Sequence, residues 1–301
     1  MAKRLKMSQQ GLDYQIKKLH EKEHIKSFHT VIDYACFGYH AFRLFLLLNH
    51  QKGDFKQFFQ SLEENPNILH LQETGGHWDL QLSIVAKNAS QFHNELQKIL
   101  TNHKTQIKNY TASTVISTYE MGRRHLADSA THTGALVIGG DREQVKIEPI
   151  EKRILKELYE NPRISYVHLA AKYKLNPKTA VNKVRALEAR GIIKAYSASL
   201  DPYKYNCIPT KILFRYQGCS PEQEEEILKF CKQQKEVVRV IKTLGHWNLE
   251  VDVETKDTVE LRNICLQLKK HFGDSITKME TTQMFKLHKE KYLPQSFFTQ
   301  E

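Results

Sequence analysis

The chain has 301 residues, which is enough for two or more domains that each bury a core. Its content of 40% hydrophobic and 26% charged residues is that of a globular protein and excludes a disordered or fibrous one. The formal net charge of +11 and the pI near 9.2 favour a polyanionic partner, of which nucleic acid is the commonest.

Targeting and redox signals are weak. The longest fully apolar run is Leu44–Leu48, too short for a transmembrane helix. The basic start Met1–Lys6 is followed by polar residues, not by the apolar core of a signal peptide. The five cysteines are odd in number and form no CxxC pair, which indicates buried or incidental thiols in a reducing cytoplasm. We expect a cytoplasmic protein without a membrane partner or a cofactor.

The first two segments differ in completeness. Residues 1–40 are predicted to form a partial winged helix-turn-helix, in which Met1–Met7 corresponds to the tail of the middle helix and nothing stands for the first. Either this copy borrows packing from elsewhere, or its coding sequence begins upstream. Residues 41–122 are predicted to form a βαββαβ, ferredoxin-like domain with two helices on one face of an antiparallel sheet. The predicted elements are strands Ala41–Leu48, Ile68–Glu73, Trp78–Val85 and Ile107–Thr118, and helices Asp54–Glu64 and Ala89–His103.

Residues 123–148 are predicted to be a connector. It contains Gly139–Asp141 between the apolar runs ALVI and VKI, which suggests a short hairpin.

Residues 149–207 are predicted to form a complete winged helix-turn-helix. Pro149 begins its first helix, and Ser165 is a suitable N-cap for its second. Asn176 and Pro177 suit the start of the third helix, which Gly191 ends. The apolar stripe of this third helix, over residues 177–190, consists of Ala180, Val181, Val184 and Leu187.

The opposite side of helix 177–190 is polar and basic, as a helix that enters the DNA major groove requires. From Lys172 to Lys194 there are seven lysines and arginines against the single acid Glu188. A helical hairpin whose charges are only solvated usually mixes the two signs more evenly. Asn182 suits an adenine edge, and the cations suit phosphates. The predicted contacts with double-stranded DNA are Lys178, Thr179, Asn182, Lys183, Arg185 and Lys172.

Residues 208–293 are predicted to form a second βαββαβ domain, followed by a tail at 294–301. In its third strand Val251 and Val253 alternate with three acids, the period of a half-exposed strand. The predicted elements are strands Ile208–Tyr216, Val237–Leu244, Trp247–Glu254 and Ile276–Leu287, and helices Pro221–Gln234 and Asp257–Phe272.

The chain repeats itself. The segment that begins at Met7 matches the one that begins at Leu175, a shift of 168 residues. After one inserted residue, Gly76–Leu80 (GHWDL) aligns with Gly245–Leu249 (GHWNL), so that the two tryptophans of the chain are equivalent. Chance explains this poorly, and we infer a tandem duplication.

The sequence HEKEH at His20–His24 has the spacing of a zinc-protease helix. We reject a metal site there. The repeat aligns it with Glu188–Ile192 at the end of a helix, where His24 replaces a packing isoleucine, and no downstream residue stands out as a third ligand.

The order of a helix-turn-helix, a linker with LDPYKY at Leu200–Tyr205, and a βαββαβ sheet with a glycine turn resembles the Lrp/AsnC (feast/famine) transcriptional regulators. Arg163–Pro202 is the most specific part. The resemblance covers Pro149–Leu293 as a full copy and about Lys3–Met121 as a truncated one, and the tandem arrangement is similar to archaeal members.

This resemblance implies DNA binding by the winged helix-turn-helix and pairing of the sheet domains into homo-oligomers. In many members an amino acid or similar effector binds between paired sheet domains. At the corresponding turns the bulky His-Trp pairs either hold a ligand or fill an interface, and we favour the interface. The residues concerned are His77, Trp78, Asp79, His246, Trp247 and Asn248.

Two other functions stay open. Siroheme decarboxylases are similar to this family in fold, pair two such units and use histidines and basic residues around a tetrapyrrole; this chain has 15 histidines. A sensor or scaffold that has lost DNA binding would account for the truncated first copy. An enzyme would not require the basic face of helix 177–190, so we predict a sequence-specific regulator and no enzyme.

Overall fold

The computed structural model describes residues 2–51, 55–126, 134–273 and 275–299. Its α-helices are α1 (Gln9–Glu21), α2 (Phe55–Glu64), α3 (Ala89–Asn102), α4 (Pro149–Glu160), α5 (Tyr166–Lys172), α6 (Pro177–Ala189), α7 (Pro221–Gln233), α8 (Thr258–Phe272) and α9 (Ser296–Thr299). Its strands are β1 (Ile25–Ile32), β2 (His40–Leu48), β3 (Ile68–Gly75), β4 (Leu80–Ala86), β5 (Ile107–Glu120), β6 (Leu136–Gly139), β7 (Ile193–Leu200), β8 (Ile208–Tyr216), β9 (Val237–Gly245), β10 (Leu249–Thr255) and β11 (Ile276–Glu290). The predicted helix start at Asp54 lies outside the described residues.

The chain forms two compact units. The helical unit contains Met1–Val31 and Glu148–Cys207, and the sheet unit contains Ile32–Ile147 and Ile208–Glu301. The two copies of the repeat therefore share both units, because each contributes a helix-turn-helix part to one and a sheet domain to the other.

The complete winged helix-turn-helix of the helical unit consists of α4, α5, α6 and β7, as predicted. The Ser165 hydroxyl accepts a hydrogen bond from the backbone N–H of His168 at 3.2 Å, and Asn176 Oδ1 accepts one from the N–H of Lys178 at 2.9 Å. These caps satisfy donors that the first turn of each helix leaves open. Apolar side chains from all three helices are buried, including Ile154, Leu155, Leu158, Leu169, Ala180, Val184 and Leu187.

The truncated first copy keeps the backbone of the equivalent part of the second. A 3-10 helix at Ala2–Leu5 stands where α5 ends, and Lys6 (φ 51°) repeats the left-handed backbone of Lys174 (φ 53°). Ser8 caps α1 as Asn176 caps α6. Strand β1 then pairs with β7 in a two-stranded sheet, so that the two copies are joined within this unit.

The sheet unit holds both ferredoxin-like domains. The strand order is β5-β2-β4-β3 in the first domain and β11-β8-β10-β9 in the second, the same order in each. The first domain joins the second at β3–β11 and at β5–β9, and both seams are antiparallel. Eight strands thus close into a ring, and the predicted pairing of sheet domains occurs inside one chain.

Each domain has its own core between sheet and helices. In the first domain this core contains Leu44, Leu46, Phe58, Leu62 and Ile99, and in the second it contains Ile212, Phe214, Ile227, Ile264 and Leu268. Alternate residues on the same strands point to the opposite face of the sheet, which the other domain covers.

The prediction that β10 is half-exposed is wrong, because its acidic side lies on this second face. Its alternation is as predicted, but Glu250, Asp252 and Glu254 are 0%, 4% and 3% exposed. Alternation of apolar and polar residues shows that the two faces of a strand differ in polarity. It does not show that the polar face is exposed to solvent. Here the carboxylates are buried because the two domains close over them and supply cationic partners.

The predicted hairpin in the connector is wrong. Strand β6 pairs with β5 at Ser117–Glu120, just beyond the part of β5 that pairs with β2. Val145, from the expected second strand, makes one backbone hydrogen bond to the carbonyl of Cys36 at 2.8 Å. The vacant stretch of β5 therefore takes β6, and the described part of the connector, together with residues 32–40, belongs to the sheet unit. Residues 127–133 of the connector lie outside the described structure.

The predicted tail is packed on the first ferredoxin-like domain. The N–H of Gln295 donates to the carbonyl of Pro66 at 3.0 Å, and the rings of Phe37 and Phe297 lie 4.4 Å apart between centroids. Its residues 300 and 301 lie beyond the described part.

Candidate DNA-binding helix

Helix α6 separates a buried face from an exposed one. Ala180, Val184 and Leu187 are each 0% exposed. At 100° per residue, Lys178, Asn182 and Arg185 lie on the opposite side, and all three are exposed. Thr179 is exposed at the edge of this face. We call Lys178, Asn182 and Arg185 the outer face of α6.

The cations of the outer face are available to a ligand. Lys178 and Arg185 form no ion pair with any residue that the structure describes. Two cations and a side-chain amide on one exposed helical face can contact phosphates and base edges together.

Two other predicted contacts are held by acids of α4. The Lys183 ammonium lies 2.6 Å from a carboxylate oxygen of Glu148 and 3.9 Å from one of Glu151. The Lys172 ammonium lies 2.6 Å from Glu157, whose same oxygen also accepts the Tyr173 hydroxyl at 2.9 Å. These two lysines fasten α6 and α5 to α4. Counting charges between residues 172 and 194 could not show this, because the acids lie outside that segment.

The pKa values of the α4 carboxylates Glu151 and Glu157 are lowered, which favours their ionised form. Burial opposes the charge of Glu151, but a hydrogen bond from Arg190, the N–H of Glu148 and the nearby cations lower its pKa below the usual value. The same balance holds for Glu157, where burial is outweighed by Lys172 and Tyr173. Charged carboxylates at these positions keep α6 in place.

The His-Trp turns of the sheet unit lie together. Trp78 and Trp247 are 4% and 0% exposed and form one cluster with Phe45 and Leu213. His246 approaches both indoles edge to face, at 6.5 Å from Trp78 and 4.9 Å from Trp247 between centroids. The two indoles thus pack together with residues of both domains.

The residue after the tryptophan in each turn accepts a hydrogen bond from a backbone N–H. Asp79 Oδ2 accepts the N–H of Leu48 at 2.7 Å, and Asn248 Oδ1 accepts the N–H of Tyr216 at 3.0 Å. His77 is exposed, whereas burial, Lys278 and Arg215 lower the pKa of His246 and favour its neutral form.

A charged cluster in the sheet unit was missed by the sequence analysis. Lys211, 0% exposed, lies 2.9 Å from Glu250 and 2.5 Å from Asp252, and Arg43 lies 3.2 Å from Glu250. Arg239 extends the cluster to Glu120 at 2.7 Å and to Glu290 at 3.0 Å. The repeat could have indicated part of it, because Arg43 and Lys211 are equivalent cations on the first strands of the two domains.

A cavity of about 70 Å³ adjoins this cluster. Its lining includes Arg43, His70, Glu120, Arg239 and Glu290. Burial and the cations Arg43, Arg239 and Lys211 hold the pKa of His70 well below its usual range, so its imidazole is neutral. The cavity therefore presents guanidinium and carboxylate groups to a small polar guest.

The HEKEH segment has other contacts. His20 Nδ1 lies 2.8 Å from the carbonyl oxygen of Ile25, and Glu21 lies 3.8 Å from Lys17. Among the residues described, no group of three or more His, Cys, Asp or Glu side chains is placed to hold a metal ion. No helix within the described ranges has both the length and the apolar content needed to cross a membrane.

Two family models match separate parts of the chain. Residues 147–194 match a winged helix-turn-helix DNA-binding model, and residues 41–124 match the Lrp/AsnC ligand binding domain. The HTH-type transcriptional regulator LrpB of Bacillus subtilis is 25% identical over 151 residues, which cover 45% of this chain and 100% of that protein. Residues 41–124 thus match the sheet domain of the Lrp/AsnC family, and residues 147–194 match a winged helix-turn-helix.

Archaeal regulators are also similar to part of this chain. An uncharacterised HTH-type transcriptional regulator of Pyrococcus horikoshii is 27% identical over 42% of this chain and 82% of its own length. Among solved structures, the siroheme decarboxylase NirDL covers 99% of this chain and 90% of its own, with a TM-score of 0.62 and 16% identity. At that identity the likeness shows a common fold alone.

Proposed function

We propose that this protein is a sequence-specific transcriptional regulator of the Lrp/AsnC type that places α6 in the major groove of double-stranded DNA. The exposed outer face of α6, opposite its buried stripe, carries the proposal. Lys178, Thr179, Asn182 and Arg185 are the proposed contacts. A regulator of this kind acts where DNA is, and we place it in the cytoplasm.

The proposed contacts divide by chemistry. The Asn182 amide can donate to and accept from one adenine edge, whereas Lys178 and Arg185 supply charge to phosphates or to guanine. Lys183 and Lys172 contribute indirectly, because the ion pair of Lys183 joins α6 to the start of α4 and that of Lys172 joins α5 to α4. A rigid helix loses less conformational entropy when it binds.

Binding sequences can be selected from a pool of random DNA duplexes, and the best one measured by gel shift over a salt series. We expect a defined consensus. We also expect an affinity that falls with salt at a log–log slope of about −0.9 per phosphate neutralised. A selection without consensus, together with an affinity that barely changes with salt, would refute the regulator.

The sheet unit is proposed to sense a small molecule and to join further copies of the chain. Arg239, Glu120 and Glu290 line the cavity, and an amino-acid-like zwitterion would bind there by exchanging its carboxylate and ammonium for their ion pairs. Glycine and alanine should raise the unfolding temperature if the cavity binds them, and acetate and ethylamine serve as half-molecule controls. Sedimentation over a range of concentrations tests self-association, which the exposed Leu244 (66%) and Phe285 (45%) favour.

The enzyme alternative rests on the shared fold of NirDL, a siroheme decarboxylase. A tetrapyrrole is far larger than the cavity of about 70 Å³ beside Arg43. Titration of the protein with an iron tetrapyrrole should leave the absorption spectrum of the ligand unchanged. A saturable spectral shift would favour the enzyme instead.

A further inference from the structure

The truncated first copy retains a helix in the place of the proposed reading helix. Helix α1 leads into β1 as α6 leads into β7, and β1 and β7 pair in one sheet. The turns that follow the helices match, since Glu23 (φ 59°) repeats the left-handed backbone of Gly191 (φ 69°). The two helices are thus equivalent parts of a single unit.

The second copy of the motif contacts the segment that follows α1. The Asp201 N–H donates to the carbonyl of His24 at 3.1 Å, and the Thr30 hydroxyl donates to the carbonyl of Leu158 at 2.5 Å. The Arg163 guanidinium lies 5.0 Å from the ring centroid of Phe28. These bonds fix β1, and with it α1, against the complete motif.

The side of α1 that faces away from its buried Leu12 is open and polar. At 100° per residue, Gln10, Tyr14 and Lys17 lie on this side, at the positions of Lys178, Asn182 and Arg185 in α6. Gln10 is exposed, Tyr14 is 64% exposed and the Lys17 side chain is 76% exposed. We call these three residues the outer face of α1.

The acids near this face are paired with cations. Asp13 lies 3.0 Å from Arg163 of the second copy, and Glu21 lies 3.8 Å from Lys17. Lys18 and Lys22 are exposed on the same helix and its cap. Lys18 and Lys22 thus leave positive charge on α1, which suits the backbone of nucleic acid.

We propose that α1 is a second DNA-contacting helix, so that one chain reads two half-sites of different sequence on duplex DNA. This rests on the proposed function of α6. Gln10 can pair with an adenine edge, Tyr14 can contact a thymine methyl or a phosphate, and Lys17 supplies charge. Because these residues differ from Lys178, Asn182 and Arg185, the preferred site is asymmetric.

The experiment compares matched triple variants of the full chain on the DNA site selected for the wild type. One replaces the outer face of α1 (Gln10→Ala, Tyr14→Ala, Lys17→Ala), and the other that of α6 (Lys178→Ala, Asn182→Ala, Arg185→Ala). Gln267→Ala with Lys270→Ala, both exposed on α8 of the sheet unit, is the control. Affinity, hydroxyl-radical footprint and thermal unfolding are measured for each.

We expect the α1 variant to unfold like the wild type, to bind about tenfold or more weakly, and to lose protection on one side of the site only. The α6 variant should lose the other side. If the α1 variant binds with wild-type affinity and gives the complete footprint, α1 is not a second DNA-contacting helix, whereas the proposal for α6 is unaffected. Wild-type binding by the α6 variant would overturn the proposed function itself.

Discussion

Three side chains on the outer face of α6 would contribute differently to the proposed DNA complex. Asn182 can recognise a base through two hydrogen bonds, whereas Arg185 and Lys178 add charge that every sequence attracts. A bidentate base contact is worth about 1–3 kcal/mol of discrimination. Sequence preference and overall affinity should therefore be separable within one helix.

Asn182→Ala should relax the preference at one base pair while the salt dependence stays the same. Arg185→Ala should weaken binding to all sequences alike and make the log–log salt slope shallower by about 0.9. Competition gel shifts with single base-pair changes in the selected site measure both effects. Identical competition profiles for Asn182→Ala and the wild type would show that this residue does not recognise a base.

Lys211 is the buried cation on which two carboxylates depend. Lys211→Met removes the closest cation of Glu250 and Asp252 without leaving a large cavity, and leaves Arg43 and Arg239 as their remaining partners. The loss should cost up to about 3–5 kcal/mol of unfolding free energy, because two buried carboxylates then share fewer buried cations. Denaturant titration measures it, with Lys229→Met on the exposed side of α7 as control. A change within about 1 kcal/mol would show that the cluster does not hold the sheet unit together.

The outer face of α6 could be predicted from sequence because its pattern is local: a Pro-capped helix, an apolar stripe and exposed polar residues between. The role of Lys183 could not, since Glu148 and Glu151 reach it only through the packing of α4 on α6. Burial of Glu250 likewise depends on the pairing of two domains. Tertiary partners, not local pattern, decide the state of a charged side chain.

At the scale of elements, the two glycine turns of the sheet unit are equivalent in sequence and unequal in space. Gly76 and Gly245 both have positive φ angles, 103° and 144°. A Cβ at Gly76 would meet nothing closer than 3.7 Å, whereas one at Gly245 would lie 2.9 Å from the carbonyl oxygen of Ala112. Gly245 pairs with Ser113 where β5 of the first domain joins β9 of the second. The backbone of β5 therefore lies close to Gly245 because the two domains pair there.

Gly76→Ala should therefore cost only the strain of a left-handed backbone, about 1–2 kcal/mol. Gly245→Ala should cost clearly more, because the backbone of β5 must also move. Denaturant unfolding of the two variants under the same conditions gives the comparison. Equal losses, or a larger loss for Gly76→Ala, would contradict the asymmetry of the seams.

Two carboxylates of α4 should make the stability of the helical unit depend on pH. The pKa values of Glu151 and Glu157 are lowered in the folded protein. A lowered pKa contributes stability that is present above the unfolded value of about 4.3 and is lost as pH falls through the folded value. Unfolding of this unit should thus become easier below about pH 4–5, and Glu151→Gln with Glu157→Gln should flatten that slope. An unchanged slope in the double variant would show that these carboxylates are not responsible.

At the scale of the whole molecule, the tandem repeat places two unequal copies of one motif in a single chain. The fold of each sheet domain and of the complete helix-turn-helix could be predicted, because element order and the repeat are visible in the sequence. The closed ring of eight strands could not, since the resemblance implied pairing of sheet domains between chains and not within one. The seams β3–β11 and β5–β9 settle this for the chain itself.

The central claim is that the outer face of α6 binds DNA. The most direct test is the affinity of the wild type and of the variant Lys178→Ala, Asn182→Ala, Arg185→Ala for the selected duplex over a salt series. We predict that the variant binds at least about tenfold more weakly and has a slope shallower by about 1.8, because two cations and one base contact are lost. A folded variant with the affinity and the slope of the wild type would contradict the account.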